Sequence, residues 1–134
     1  MASVYSAVMH RRRAMLPFLV ALAVAISGCV TENRPADCDE AEKAIELTVT
    51  ATAMEPNDPA ACRDQAVTLI VGSDVDGVFH IHGLDALVPA TTITAGEEVV
   101  LEFAAERSGQ FPIELHPADD PQGVSVGIFT VHER

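Results

Sequence analysis

Apolar and polar residues alternate along most of the chain after residue 44, and that period of two predicts strands. In "IELTVTAT" the residues Ile45, Leu47, Val49 and Ala51 alternate with Glu46, Thr48, Thr50 and Thr52, the signature of a half-buried strand. "QAVTLIVGSD" sets Val67, Leu69 and Val71 inward and closes in a Gly-Ser-Asp turn. "GVFHIHGL" puts Phe79 and Ile81 on one face and Val78, His80 and His82 on the other. "EVVLEFAAE" directs Val99, Leu101 and Phe103 inward, and "QFPIELHP" does the same with Phe111, Ile113 and Leu115. "VSVGIFTVH" reads as a final strand, and a short one is expected at 91–94. Between these runs lie turn signals: the two prolines of "MEPNDPAACRD", Pro89, Ala95-Gly96, "RSGQ" and "DDPQG". No run after residue 44 has a helical period. Six to eight short strands with such turns predict an all-β domain, either a β-sandwich or a small Greek-key barrel.

The N-terminal residues have a different character. His10-Arg11-Arg12-Arg13 and then "AMLPFLVALAVA" have the basic and apolar regions of a signal peptide. The apolar stretch is too short for a spanning helix, which needs about 20 residues. It ends in "ISGC", which resembles the lipobox of bacterial lipoproteins. That resemblance implies cleavage after Gly28 and a lipid on Cys29, hence export and anchoring to the outer face of the cell membrane, in the cell envelope or periplasm. "RRRAML" also loosely resembles a twin-arginine export signal. The expected organisation is a signal peptide at 1–28, an acidic tether at 29–43 ("CVTENRPADCDEAEK") and one domain at 44–134. Apart from Cys29, the cysteines are Cys38 and Cys62. An even pair in an oxidising compartment is expected to form a disulfide rather than a pair of thiolate ligands.

Charge narrows the partners. The leader contains three of the eight basic residues and no acid, so five basic residues face 20 acidic ones, a formal charge of −15. Such a surface repels nucleic-acid phosphates and anionic lipid, so a nucleic acid is excluded and the membrane is reached only through the lipid.

Four histidines follow the leader: His80, His82, His116 and His132. Positions i and i+2 on a strand send His80 and His82 out of the same face, about 6–7 Å apart. Two imidazoles so placed can converge on one ion at about 2 Å from each nitrogen. A third ligand must come from elsewhere in the chain, and His116, which shares a face with Glu114, is the candidate. His132 is expected to be solvated, Met54 to be a loop or core residue rather than a soft ligand, and Gly83 to serve a backbone requirement.

"VFHIHGLD", "AGEEVVLEFAAERSGQFPIELH" and "GVSVGIFTV" together resemble the cupredoxin-like β-sandwich domain of bacterial exported proteins, including periplasmic iron-uptake components and small lipoproteins. The resemblance runs from about Gln65 to Val131 and implies a cupredoxin-like Greek-key sandwich. It also implies that His80 or His82 supplies a first copper ligand and His116 a second. The blue-copper pattern fails at the thiolate, because Ile113 stands at the cysteine position and no Met follows His116. A non-blue, all-imidazole site remains, completed by water, Glu114, Asp119 or Asp120 and suited to copper first and zinc second. "VFHIHGLD" is similar, too, to the copper-binding segment of copper/zinc superoxide dismutases. Those enzymes need further histidines, and there is none between Leu84 and Leu115. No nucleophile elbow, phosphate loop or Cys–His pair is present, so no enzyme is expected. The expected function is histidine-mediated binding of a transition metal at the cell envelope, with an envelope protein as a further partner. The alternative is a metal-free sandwich acting as a protein-interaction module.

Overall fold

The computed structural model describes Pro35 and residues 37–120 and 122–134. The expected signal peptide at 1–28 and the lipidation site Cys29 lie outside the described residues. Nine strands are described: β1 (Glu42–Val49), β2 (Met54–Glu55), β3 (Ala60–Cys62), β4 (Ala66–Ser73), β5 (Gly77–Ile81), β6 (Thr91–Ile93), β7 (Glu98–Ala104), β8 (Gly109–Pro117) and β9 (Val124–His132). They form a four-stranded sheet in the order β2-β1-β4-β7 and a five-stranded sheet in the order β3-β9-β8-β5-β6. Pairing is antiparallel except for β1 with β4 and β3 with β9. The chain folds as the all-β sandwich that its alternation predicts.

The inward residues of both sheets make one core. Leu47 and Val49 of β1, Val67, Leu69 and Val71 of β4, Phe79 and Ile81 of β5, and Ile113 and Leu115 of β8 are all buried. Phe103 of β7 meets Phe129 of β9 edge to face across the gap, with ring centroids 5.7 Å apart. Burial of this alternating set is the principal driving force for the fold. Val99 and Leu101, expected to point inward, are only half-buried, and Val100 is exposed, because β7 is an edge strand with a neighbour on one side. The segment at 54–64, read as a loop, contributes β2 and β3, and Met54 lies in the core.

The tether boundary at residue 43 moves. The fold takes hold of the chain from Asp37 onward, and β1 starts three residues earlier than the apolar alternation suggests. Cys38 is joined to Cys62 by a disulfide with 5.3 Å between the Cα atoms. The buried side chain of Gln65 donates to the carbonyls of Asp37 and Glu40, each at 3.0 Å. Glu42 and Lys43 then pair with Ala66 and Val67. Polar composition marked this stretch as linker, but its main chain is held by cross-links that hydropathy does not register.

Candidate metal centre

The site lies on the outer face of the five-stranded sheet, where β5 and β8 pair. Their register sets His80 opposite Glu114 and Val78 opposite His116. Since Phe79, Ile81, Ile113 and Leu115 take the inward positions, His80, Glu114 and His116 stand outward together. His82 lies just past the end of β5, and its N–H donates to the Pro112 carbonyl at 2.9 Å, which continues the strand spacing. The His80 and His82 rings are therefore neighbours, with centroids 4.2 Å apart and planes tilted by 49°.

Glu114 is the hub. Its Oε2 is 2.8 Å from Nε2 of His82 and 3.5 Å from Nε2 of His116. The Nε2 atom of His82 is closed off from solvent, with the Glu114 carboxylate as its polar neighbour. The polar contact with His82 holds the Glu114 carboxyl below its ordinary value of 4.5; burial opposes this, and the charges of His82, His116 and His80 reinforce it.

Two further contacts position the rings. His80 pairs through Nε2 with the Asp85 carboxylate, whose other oxygen accepts the Gly83 N–H at 3.1 Å. Gly83 has φ +84°, a conformation in which glycine avoids the steric cost other residues incur. Arg107 donates to the Gly83 carbonyl and lies over the Phe111 ring, 5.2 Å from its centroid. The turn after His82 is thus fixed from both sides. At the other end of the site Gly123, with φ +74°, lies against the His116 ring, where an added Cβ would come within 2.6 Å of Cε1. The loop between β8 and β9 leaves room for that imidazole only because residue 123 has no side chain.

The structure therefore brings His82 and His116 to one carboxylate and sets the His80 ring beside that of His82, with its Nε2 on Asp85. His132 stands apart, at the Gly109 end of β8. Ile113, where the cupredoxin resemblance would set a thiolate, is fully buried on the opposite face. Asp120 uses Oδ1 to accept the Gln122 N–H at 3.0 Å within its own loop. Sequence reasoning missed Asp85; its place three residues after His82 in a turn was the available signal. By chemistry, imidazoles and a carboxylate suit a borderline divalent ion such as Cu(II) or Zn(II). Among the described residues, though, no three donors already converge on one point.

The lowered carboxylates set an acid limit on stability. Asp37, held down by its hydrogen bond to Lys43, and Asp85, held down by His80, both lie below the ordinary 3.8, as Glu114 lies below 4.5. Each folded value is below the unfolded one, so the stability these groups add is complete above the unfolded value and is lost as pH falls through the folded one. The urea midpoint of metal-free protein is expected to fall steadily once the pH drops below about 4.5. A midpoint that rose between pH 5 and pH 3 would contradict this assignment.

No protein-family model and no curated protein matches the chain. Solved structures do match it. A multicopper oxidase from Pseudomonas thermotolerans superposes with a TM-score of 0.53 at 19% identity, over 69% of this chain and 30% of that one. A copper-containing nitrite reductase from Thermus scotoductus gives 0.51 at 15% identity, over 70% of this chain and 28% of that one. A chain of a heme-copper terminal oxidase dimer gives 0.55 at 18% identity, over 84% of this chain and 83% of that one. The fold is cupredoxin-like. This cupredoxin-like chain spans about a third of the length of the first two proteins, and at these identities the likeness carries the fold. It also corrects one expectation. Enzyme function was excluded because no nucleophile or phosphate motif is present, yet the chains that share this fold belong to oxidases and a nitrite reductase, which are enzymes. The missing motifs serve acyl and phosphoryl transfer and have no bearing on oxidation or reduction.

Proposed function

We propose that the protein is a cupredoxin-like domain that binds copper, with zinc as the competing ion, through His80, His82 and His116, for metal handling at the cell envelope. One observation carries the reading: a single carboxylate oxygen of Glu114 lies 2.8 Å from Nε2 of His82 and 3.5 Å from Nε2 of His116, with the His80 ring tilted against the first. That solved neighbours are a multicopper oxidase and a copper-containing nitrite reductase supports the choice of metal. The leader residues and Cys29 support export with a lipid anchor, and an envelope protein is the partner such a placement would offer. With Ile113 in the core, the copper bound here is non-blue, because the strong colour of blue centres needs a thiolate.

The metal-free interaction module is favoured by one observation, that no three donors converge among the described residues. Copper decides between the two. A ligand that binds only the folded state raises its stability by mass action, about 2.7 kcal/mol at a hundredfold excess over Kd. Stoichiometric Cu(II) is expected to raise the Tm by several degrees and give a weak d–d band. The gain is expected to vanish in His80→Ala/His82→Ala and to shrink in acid, since protonated imidazoles do not ligate. An unchanged Tm with both copper and zinc would leave the interaction module in possession, and intense blue absorption would refute the thiolate-free site.

A further inference from the structure

We infer that β7 is a docking edge, to which an extended segment of a basic protein partner adds as a further strand. Its Lys or Arg side chains lie opposite Glu98 and Glu102, with an aliphatic residue between them opposite Val100. The inference is independent of metal binding.

Three of the four sheet edges are closed by brevity, since β2 has two residues and β3 and β6 have three each. Short edge strands are one way in which a fold blocks pairing with other chains. Where β1 runs beyond its pairing with β2, it borders a cleft walled by Pro56 and Pro59, and proline blunts an edge as well. The edge at β7 is different. It runs for seven residues without a proline, with β4 on one side. Just past its end the Ala105 N–H donates to the Gln65 carbonyl, a pair that the β4–β7 register continues without a shift. Alternation in an antiparallel ladder therefore aims the main-chain groups of Phe103, Leu101 and Val99 at β4, and those of Glu102, Val100 and Glu98 away from the sheet. Among the described residues no strand meets those outward groups. Strand addition uses main-chain donors and acceptors of this kind.

The side chains say what would pair there. Val100 is 57% exposed and stands between Glu98 and Glu102 on the outer face, beside half-buried Ile70. Val99 and Leu101, on the inner side, are left half-buried where one more strand would cover them. The outward strand positions of this sheet also carry Glu42 and Glu46, and no basic residue. A second copy would add its own Glu98 and Glu102 to the same face, directly opposed when the strands pair about Val100, and opposed like charges destabilise a sheet. A segment that reads basic, aliphatic, basic at alternate positions meets all three residues favourably. The acidic chain also draws such a segment from a distance.

The test titrates the metal-free, isotope-labelled full chain with a capped peptide built around Lys-Val-Val-Val-Lys. Slower amide hydrogen exchange is expected at Glu98, Val100 and Glu102, with binding that weakens as salt is added. Glu98→Lys/Glu102→Lys is expected to bind this peptide at least about tenfold more weakly and to prefer one built around Glu-Val-Val-Val-Glu. Val100→Pro, which removes one outward N–H and no bond to β4, is expected to lose the peptide too. Binding that follows charge without slowing exchange along β7 would overturn strand addition, as would equal affinity in the charge-reversed variant. A concentration-dependent dimer that protects β7 would overturn the basic partner in favour of a second copy. Wild type that binds neither peptide would overturn the docking edge itself.

Discussion

Replacing Phe129 with alanine is expected to destabilise the domain by about 4 kcal/mol, within the range for emptying a buried aromatic site. The ring is completely buried and packs edge to face on Phe103 from the opposite sheet. Its strand partner across the β8–β9 ladder is Phe111. The loss has two parts, the transfer of the ring to water and the cavity that a rigid sandwich cannot close. The edge-to-face pairing adds about 0.5–1.5 kcal/mol beyond area alone. Urea unfolding monitored by far-ultraviolet circular dichroism measures it, and a loss under about 1.5 kcal/mol would mean that the sheets move together to fill the space. Phe129→Leu should recover most of the stability, because it restores much of the apolar volume.

Gln65→Leu is the second large effect, expected at about 3 kcal/mol, and it acts through hydrogen bonds rather than volume. Gln65 is completely buried, an unusual place for an amide. Its Oε1 accepts the Cys62 N–H at 2.7 Å, and its Nε2 donates to the carbonyls of Asp37 and Glu40 at 3.0 Å each. Leucine fills the same space, orphans the Cys62 N–H at about 1–3 kcal/mol, and removes one of two donors from each carbonyl, leaving Asp37 with the Glu40 N–H and Glu40 with Arg134. The loss should be accompanied by faster amide hydrogen exchange at residues 38–42. A variant that lost less than 1 kcal/mol and kept its exchange protection would show that the disulfide alone holds this segment.

These two residues show what could be read in the sequence. Phe79, Ile81, Ile113 and Leu115 announced themselves because strand period and hydropathy report the same thing, and from them the sandwich and its inner face followed. His80, His82, Glu114 and His116 were legible as facing one way for the same reason, since an outward residue is simply the complement of an inward one. Their meeting depended on the β5–β8 register, which no single run of sequence specifies. Gln65 and Asp85 were not legible. Each works through directed bonds to main-chain atoms that come near only when the chain folds, and nothing in the strand run that Gln65 opens or the turn-rich stretch around Asp85 announces them. Along the stretch from Asp37 to Lys43 the sequence announces the Cys38–Cys62 bridge, but its acidic, polar content hides the Gln65 bonds to the carbonyls of Asp37 and Glu40.

The bridge from Cys38 to Cys62 has a mechanical consequence. Cys38 precedes β1 of one sheet, whereas Cys62 ends β3, at the edge of the other. Arg134, at the far end of the chain, grips the carbonyls of Cys38 and Glu40. Tension arriving from the N-terminal side therefore meets a covalent link before it can load β1, and is diverted across to the β3–β9 ladder. Pulled in that direction, the domain should resist unzipping strand by strand and yield only at a force that shears both layers together, a resistance that a reductant would remove.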